Sequence, residues 1–167
     1  DGNKFWSRSF AQLWQHMYSP DGNKIAAIVA PKFGRWTIAV DGAPWSLTFG
    51  DLVTDAVFSP DGNRVACIGK EDGKWTIAVD GKAWGGAYDM VWKPVFSPDS
   101  RKVAAKVEKN GQYTLVIDGK PFKDSYKSLG DPVFSPDSEK ILIKGIEDGS
   151  LAGKYYRQVL SITDITG

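Results

Sequence analysis

The chain has 167 residues, 42% of them hydrophobic, which is enough for one domain with a real apolar core. A formal net charge of +1 gives no reason to expect nucleic acid, an acidic membrane surface or a polyanionic substrate. A single cysteine and a single histidine exclude an internal disulfide and a cysteine-built metal cluster, and no run approaches the roughly 18 apolar residues of a membrane span.

Taken in order, the chain opens at Asp1-Gly2 without Met and without a charged-then-apolar leader, in the middle of a repeat. It is therefore expected to be processed, trimmed or cut from something longer. Asp1-Gly2-Asn3-Lys4-Phe5-Trp6 resembles Asp80-Gly81-Lys82-Ala83-Trp84, so residues 4–10 are expected to form an outer strand without its predecessors. The first complete unit then runs over 11–49. A short strand from Leu13 leads to the turn Tyr18-Ser19-Pro20-Asp21-Gly22, and Lys24–Val29 forms a strand apolar enough for burial on both faces. After Pro31-Lys32-Phe33-Gly34, the alternating Arg35–Val40 forms a third strand. Asp41-Gly42 signals a tight hairpin of the primed type, and a fourth strand is expected over Trp45–Phe49.

The same order returns over 50–88, 89–126 and 127–167. Tyr18, Phe58, Phe96 and Phe134 head the turns Ser-Pro-Asp-Gly or Ser-Pro-Asp-Ser about every 40 residues. Proline presets φ for the turn, and the aspartate side chain can bond its own backbone. The last unit supplies Lys140–Gly145, carries an insertion at Gly149–Gly153, and ends with Tyr155–Ile162, one outer strand short. Pairing of residues 4–10 with that last unit would remove both exposed edges. The expected fold is an all-β, four-bladed propeller over 1–167, closed by the N-terminal strand and nearly free of helix. The alternative to this monomeric ring is an eight-bladed ring made by two chains.

The pattern Phe58-Ser59-Pro60-Asp61-Gly62-Asn63-Arg64-Val65-Ala66 and its three copies resembles the WD40-like (PD40) repeats of propellers such as the TolB C-terminal domain. The resemblance covers the whole chain and implies fold rather than activity. Trp75–Trp84, its copy at Trp36–Trp45, and Lys32-Phe33-Gly34-Arg35 are similar to the tryptophan-rich D subunit of the Tmc transmembrane electron-transport complex of sulfate-reducing bacteria. That narrower resemblance implies an accessory subunit beside cytochrome and iron–sulfur partners, without a cofactor of its own.

Chemistry has few carriers. His16 is the only residue on which a histidine-based mechanism could rest, and a lone histidine on a channel strand is more readily a packed residue. The Asp21-Gly22-Asn23 and Asp61-Gly62-Asn63 turns lack the further carboxylates of a calcium loop. No catalytic residue, metal ligand or cofactor is therefore assigned. Trp36, Trp75 and Tyr113 recur at one strand position, and Trp6, Trp45, Trp84 and Phe122 at another, as inter-blade core would. Trp14 and Trp92 do not recur, since Thr54 and Gly130 stand at their equivalent positions, and they are candidate partner anchors. Gln15, Asp55, Lys93 and Asp131 occupy the next equivalent position and are candidates for a polar ring at a channel mouth. Phe33 and Arg35 lie on the loop face that propellers commonly use for recognition.

These residues point to a non-catalytic protein-interaction or assembly module without membrane insertion, in its narrower version an electron-transport subunit. The alternative is a small-ligand or glycan binder using the exposed Trp faces. One cysteine and no leader make the expected location cytoplasmic, peripheral to a membrane complex.

Overall fold

The computed structural model describes residues 6–147 and 156–166. Three antiparallel sheets carry the repeats. The first holds β1 (Gln12–Tyr18), β2 (Ile25–Lys32), β3 (Arg35–Val40) and β4 (Ala43–Pro44), paired in that order. β5 (Leu52–Phe58), β6 (Val65–Glu71), β7 (Lys74–Val79) and β8 (Lys82–Ala83) form the second in the same way. The third sheet has nine strands. They are β9 (Met90–Val91), β10 (Val95–Phe96), β11 (Val103–Lys109), β12 (Gln112–Ile117), β13 (Lys120–Pro121), β14 (Tyr126–Leu129), β15 (Val133–Phe134), β16 (Lys140–Glu147) and β17 (Tyr156–Ser161). One helical turn, α1 (Ile162–Thr166), follows.

β14 meets β12 at a single bridge, Tyr113↔Tyr126, the counterpart of Trp36↔Phe49 and Trp75↔Tyr88 in the earlier repeats, and pairs with β16 at Leu129↔Gly145. One expectation is corrected here. The ring of four blades does not close. Among the described residues β17 pairs with β16, and the chain beyond it turns into α1, which packs against β13. The N-terminal stretch lies instead on the first sheet, where Ala11 N donates to Ala30 O at 2.9 Å and Trp6 and Phe10 cover Ala27, Val29 and Ala39. Residues 4 and 5 and the Gly149–Gly153 insertion fall outside the described residues.

Strand lengths also depart from the expected pattern. The fourth elements β4, β8 and β13 have two residues each. After β4 the chain leaves the ladder so that Trp45 can reach the next repeat, then touches it again at the Trp36↔Phe49 bridge. In the third and fourth repeats, Pro94 and Pro132 follow β9 and β14; proline has no N–H to donate, and the ladder resumes only at β10 and β15.

The second strands β2, β6 and β11 are buried along consecutive residues, so both of their faces are covered. Ala26 and Ile28 join Ile38 against Val53, Val65, Cys67 and Ala78 of the second repeat. Ala66, Ile68 and Ile77 do the same against Val91, Val103, Ala105 and Val107 of the third. Each repeat thus has one face turned forward and one turned back. The outer aromatics lock these junctions. The Phe49 ring occupies the space beside Gly69, where a Cβ would stand 2.4 Å from it, and Tyr126 covers Gly145 in the same manner at 2.7 Å. Trp6, Trp45 and Trp84 lie over Gly42, Gly81 and Gly119, with 3.1, 3.3 and 3.4 Å to an added Cβ. These glycines also follow aspartates at φ of 49°, 50° and 48°, so both turn residues are left-handed, as a primed hairpin requires.

Candidate functional site

Antiparallel strands put the Ser-Pro-Asp turns and the Asp-Gly hairpins at one end of each sheet. The connections from second to third strand fall at the other end. The two ends are built differently.

At the first end the turns satisfy themselves. Ser59 N donates to Arg64 O at 2.9 Å, Arg64 N donates to Ser59 Oγ at 2.9 Å, and Ser59 Oγ donates to Asp61 Oδ1 at 2.5 Å. The copies at Ser19, Ser97 and Ser135 repeat each bond. The hydroxyl of Ser59, and then the backbone N–H of Asn63, holds the Asp61 carboxyl at about 2, well below its usual range. Neighbouring turns are tied together. Lys24 Nζ donates to Gly62 O at 3.0 Å and Asn63 Oδ1 at 2.9 Å, and Asp61 N donates to Ser100 Oγ at 3.0 Å. That last bond explains a serine at φ 65° where the first two copies have glycine. This end is architecture.

The opposite end carries hairpins Phe33-Gly34, Asp72-Gly73 and Asn110-Gly111. In the last two, both residues have positive φ (50° and 76°, 54° and 75°). Their hairpins are held by carboxylates of the preceding connection: Gly73 N donates to Asp51 Oδ2 at 2.7 Å, and Asn110 N to Asp89 Oδ2 at 2.8 Å. Phe33-Gly34 differs. Only Gly34 has positive φ, at 72°, and β2 bulges between Val29 and Lys32, at Ala30-Pro31. A bulky side chain avoids the left-handed region, so the extra residue lets Phe33 sit at the tip without it. The result is a phenyl ring 84% exposed.

Arg35, the other residue expected on this face, is engaged within the chain. Its Nη1 meets Glu71 Oε1 at 2.7 Å, and Nε and Nη2 donate to Thr48 Oγ1 and O at 2.9 and 2.8 Å. Glu71 also accepts from Gly50 N, and the Arg35 bond, with that backbone bond second, lowers its carboxyl pKa. Arg35 therefore ties the first repeat to the second.

Trp14 and Trp92 cover the third-strand aromatics. Trp14 lies 4.3 Å from Trp36, and Trp92 5.6 Å from Tyr113, by ring centroids. In the second repeat, where Thr54 replaces the indole, the Lys70 ammonium sits over Trp75 at 4.9 Å. Trp14 belongs to the apolar junction between the first two repeats, whereas Trp92 has Lys106 Nζ over its ring at 4.4 Å. Lys106 also reaches Asp131 Oδ1 at 2.9 Å, its side chain 11% exposed and that of Asp131 74%. So the structure unites Trp92 and Asp131 through a buried lysine that sequence reasoning passed over. The signal was there: Ile28 and Ile68 stand at the equivalent positions of β2 and β6. Gln15 and Asp55 have a different explanation. They occupy bulges of β1 and β5 at φ 46° and 51°, so they are backbone features as well as polar groups. Lys93 is exposed beside Trp92.

His16 lines an open groove of 460 Å³ with Trp6, Phe10, Leu13 and Ile25, and among the described residues no carboxylate lines it. Among the described residues no group of three or more His, Cys, Asp or Glu side chains could hold a metal.

Comparison with solved structures gives the fold a relative. TolB from Acinetobacter baumannii superposes over 91% of this chain and 41% of its own, with a TM-score of 0.51 and 19% identity. A protein provisionally assigned as TolB from Agrobacterium tumefaciens matches over 94% of this chain and 64% of its own, with a TM-score of 0.51 and 18% identity. The fold is of the β-propeller type. The chain spans less than two thirds of the length of either protein. No protein-family model and no curated protein matches it, so the narrower likeness to the Tmc D subunit rests only on the residues quoted for it.

Proposed function

We propose that the chain is a non-catalytic protein-interaction module that engages its partner with the hairpin-tip end. The carrying observation is Phe33, presented 84% exposed on a hairpin that departs from its two copies in a way that accommodates that side chain. Exposed aromatics on a rigid frame bind with little entropic cost, since few rotamers are lost. Lys93 and the Trp92–Lys106–Asp131 cluster supply charge at the first strands of later repeats. Recognition is then rigid docking, with no group asked to do chemistry.

The test is site-specific photo-crosslinking from position 33 in cells, with the exposed position 101 of the Ser-Pro-Asp end as control. The reading expects a discrete protein adduct from 33 and none from 101. Equal labelling at both positions, or none at 33, sinks it. The narrower reading, an accessory subunit beside cytochrome or iron–sulfur proteins, has only the Trp36–Trp45 and Trp75–Trp84 elements and Lys32-Phe33-Gly34-Arg35 behind it, and the indoles of Trp36 and Trp75 are covered by Trp14 and Lys70. A glycan at Trp92 would have to displace the Lys106 ammonium from the ring.

A further inference from the structure

Two junctions between consecutive repeats leave a groove at the Ser-Pro-Asp end, beside the outer indole, and the two can be compared residue by residue. Between the first and second repeats the groove is lined by Lys24, Asp41, Trp45, Asn63 and Asp80 and measures 270 Å³. Between the second and third it is lined by Arg64, Asp80, Lys82, Trp84, Arg101 and Asp118 and measures 510 Å³. Only the larger falls within the roughly 300–1,000 Å³ of small-molecule sites.

The carboxylates are spent alike in both grooves. Asp41 Oδ1 accepts from Ile25 N at 2.9 Å, Asp80 Oδ1 from Val65 N at 2.9 Å, and Asp118 Oδ1 from Val103 N at 3.0 Å. The cations differ. In the smaller groove the one lysine, Lys24, is consumed by Gly62 O and Asn63 Oδ1. In the larger, Arg64 takes that role, donating to Asp80 Oδ2 at 2.9 Å and to the carbonyls of Ser100 and Arg101 at 3.1 and 2.9 Å. Two more cations stand there, because Lys82 replaces Ala43 and Arg101 replaces Asn63. Lys82 is exposed and makes no ion pair among the described residues. The Arg101 side chain is 84% exposed, and the carboxylate it meets is that of Asp99 in its own turn, at 3.9 Å. The smaller groove is held together without either cation, so both are surplus to the frame.

Charge sets the class of ligand. Three cations and two carboxylates line the larger groove, and that small positive surplus favours a monoanion over a phosphate dianion. A guanidinium fork beside an ammonium suits a carboxylate. Trp84, half-buried over Gly119, gives the groove an apolar wall on which a ring can lie. A carboxylate oxygen keeps a second lone pair beyond the bond it already accepts, so Asp80 and Asp118 can still take hydroxyl protons. We infer that this groove binds a sugar acid, a pyranose bearing one carboxylate. The carboxylate lies between Arg101 and Lys82, the ring against Trp84, and hydroxyls donate to Asp80 and Asp118. The groove is at the opposite end from Phe33 and takes a small molecule, so it stands or falls separately from the protein-docking reading.

Titration of the chain with methyl glucuronide tests this, followed by calorimetry and by NMR of the indole N–H groups, with Trp84 assigned from a Trp84→Phe spectrum. Saturable binding at millimolar concentration or below is expected, moving the Trp84 resonance. Arg101→Asn and Lys82→Ala give the larger groove the residues of the smaller; both side chains are exposed, and a thermal melt verifies that each variant folds. Each should weaken binding about ten-fold, and the two together should abolish it. The neutral methyl glucoside should bind about ten-fold more weakly than the glucuronide for the same reason. No saturable binding of the glucuronide overturns the inference, and so does binding that both variants leave unchanged. Equal binding of benzoate, which has a ring and a carboxylate without hydroxyls, or of inorganic phosphate overturns the assignment to a sugar acid, because a general anion site would behave that way.

Discussion

The two ends of each sheet share strands and differ in what their connections do. At the Ser-Pro-Asp end, four turns place the same serine hydroxyl between a backbone N–H five residues on and the turn aspartate, and adjacent turns bond to each other. At the hairpin-tip end, three two-residue loops have three different side chains at the tip, and one has its own backbone geometry. The lesson is that identical repetition marks groups consumed by folding. Departure from the repeat, where the backbone has been adapted to it, marks groups available to a partner.

The largest effect should come from breaking the repeated end. Ser59 is fully buried, so Ser59→Ala strands the Arg64 N–H and takes the hydroxyl from Asp61; about 1–3 kcal/mol of stability should be lost, measured by urea unfolding. Arg35→Met tests a tie between repeats at the variable end. The pair is a third or more exposed on both sides, so solvent screening holds the expected loss to about 1 kcal/mol or less in the same assay.

Acid sharpens the contrast further. The carboxyls of Asp21, Asp61, Asp99 and Asp137 are all lowered, chiefly by the turn serine. A lowered folded pKa contributes stability that is present above the ordinary value of 3.8 and is lost as pH falls, for Asp61 through about 2. Unfolding midpoints followed from pH 5 to pH 2 should therefore fall, and Asp61→Asn should flatten that fall; an unchanged slope would count against the turn as its source. The smallest change in stability is expected at the tip. Phe33→Ala should stay within about 0.5 kcal/mol of wild type while abolishing the adduct formed from neighbouring positions. A large stability loss there would mean that Phe33 belongs to the frame after all.

Much of the frame was legible because each repeat confirmed the others. The Ser-Pro-Asp turns, the Asp-Gly hairpins and the doubly buried second strands all stand where the residues put them. The candidate site was legible only in part. Phe33 was visible as a loop aromatic, but the backbone geometry of its hairpin depends on the Ala30-Pro31 bulge. Trp92 and Asp131 were singled out separately, and what joins them is Lys106, a charge inside a strand that otherwise reads as core. Arg35 looked available, yet its fork finds Glu71 and Thr48, one of them 36 residues away in sequence.

By itself the sequence determined the all-β class, the repeat length, the turn types and the alternation of faces, since these depend on contacts within a few residues or on a period. Whether the ends meet could be decided only by tertiary structure, because closure depends on the angle accumulated over the junctions, and no single repeat encodes that sum. The same holds for Lys106, whose ion pair and aromatic partner arrive from different repeats.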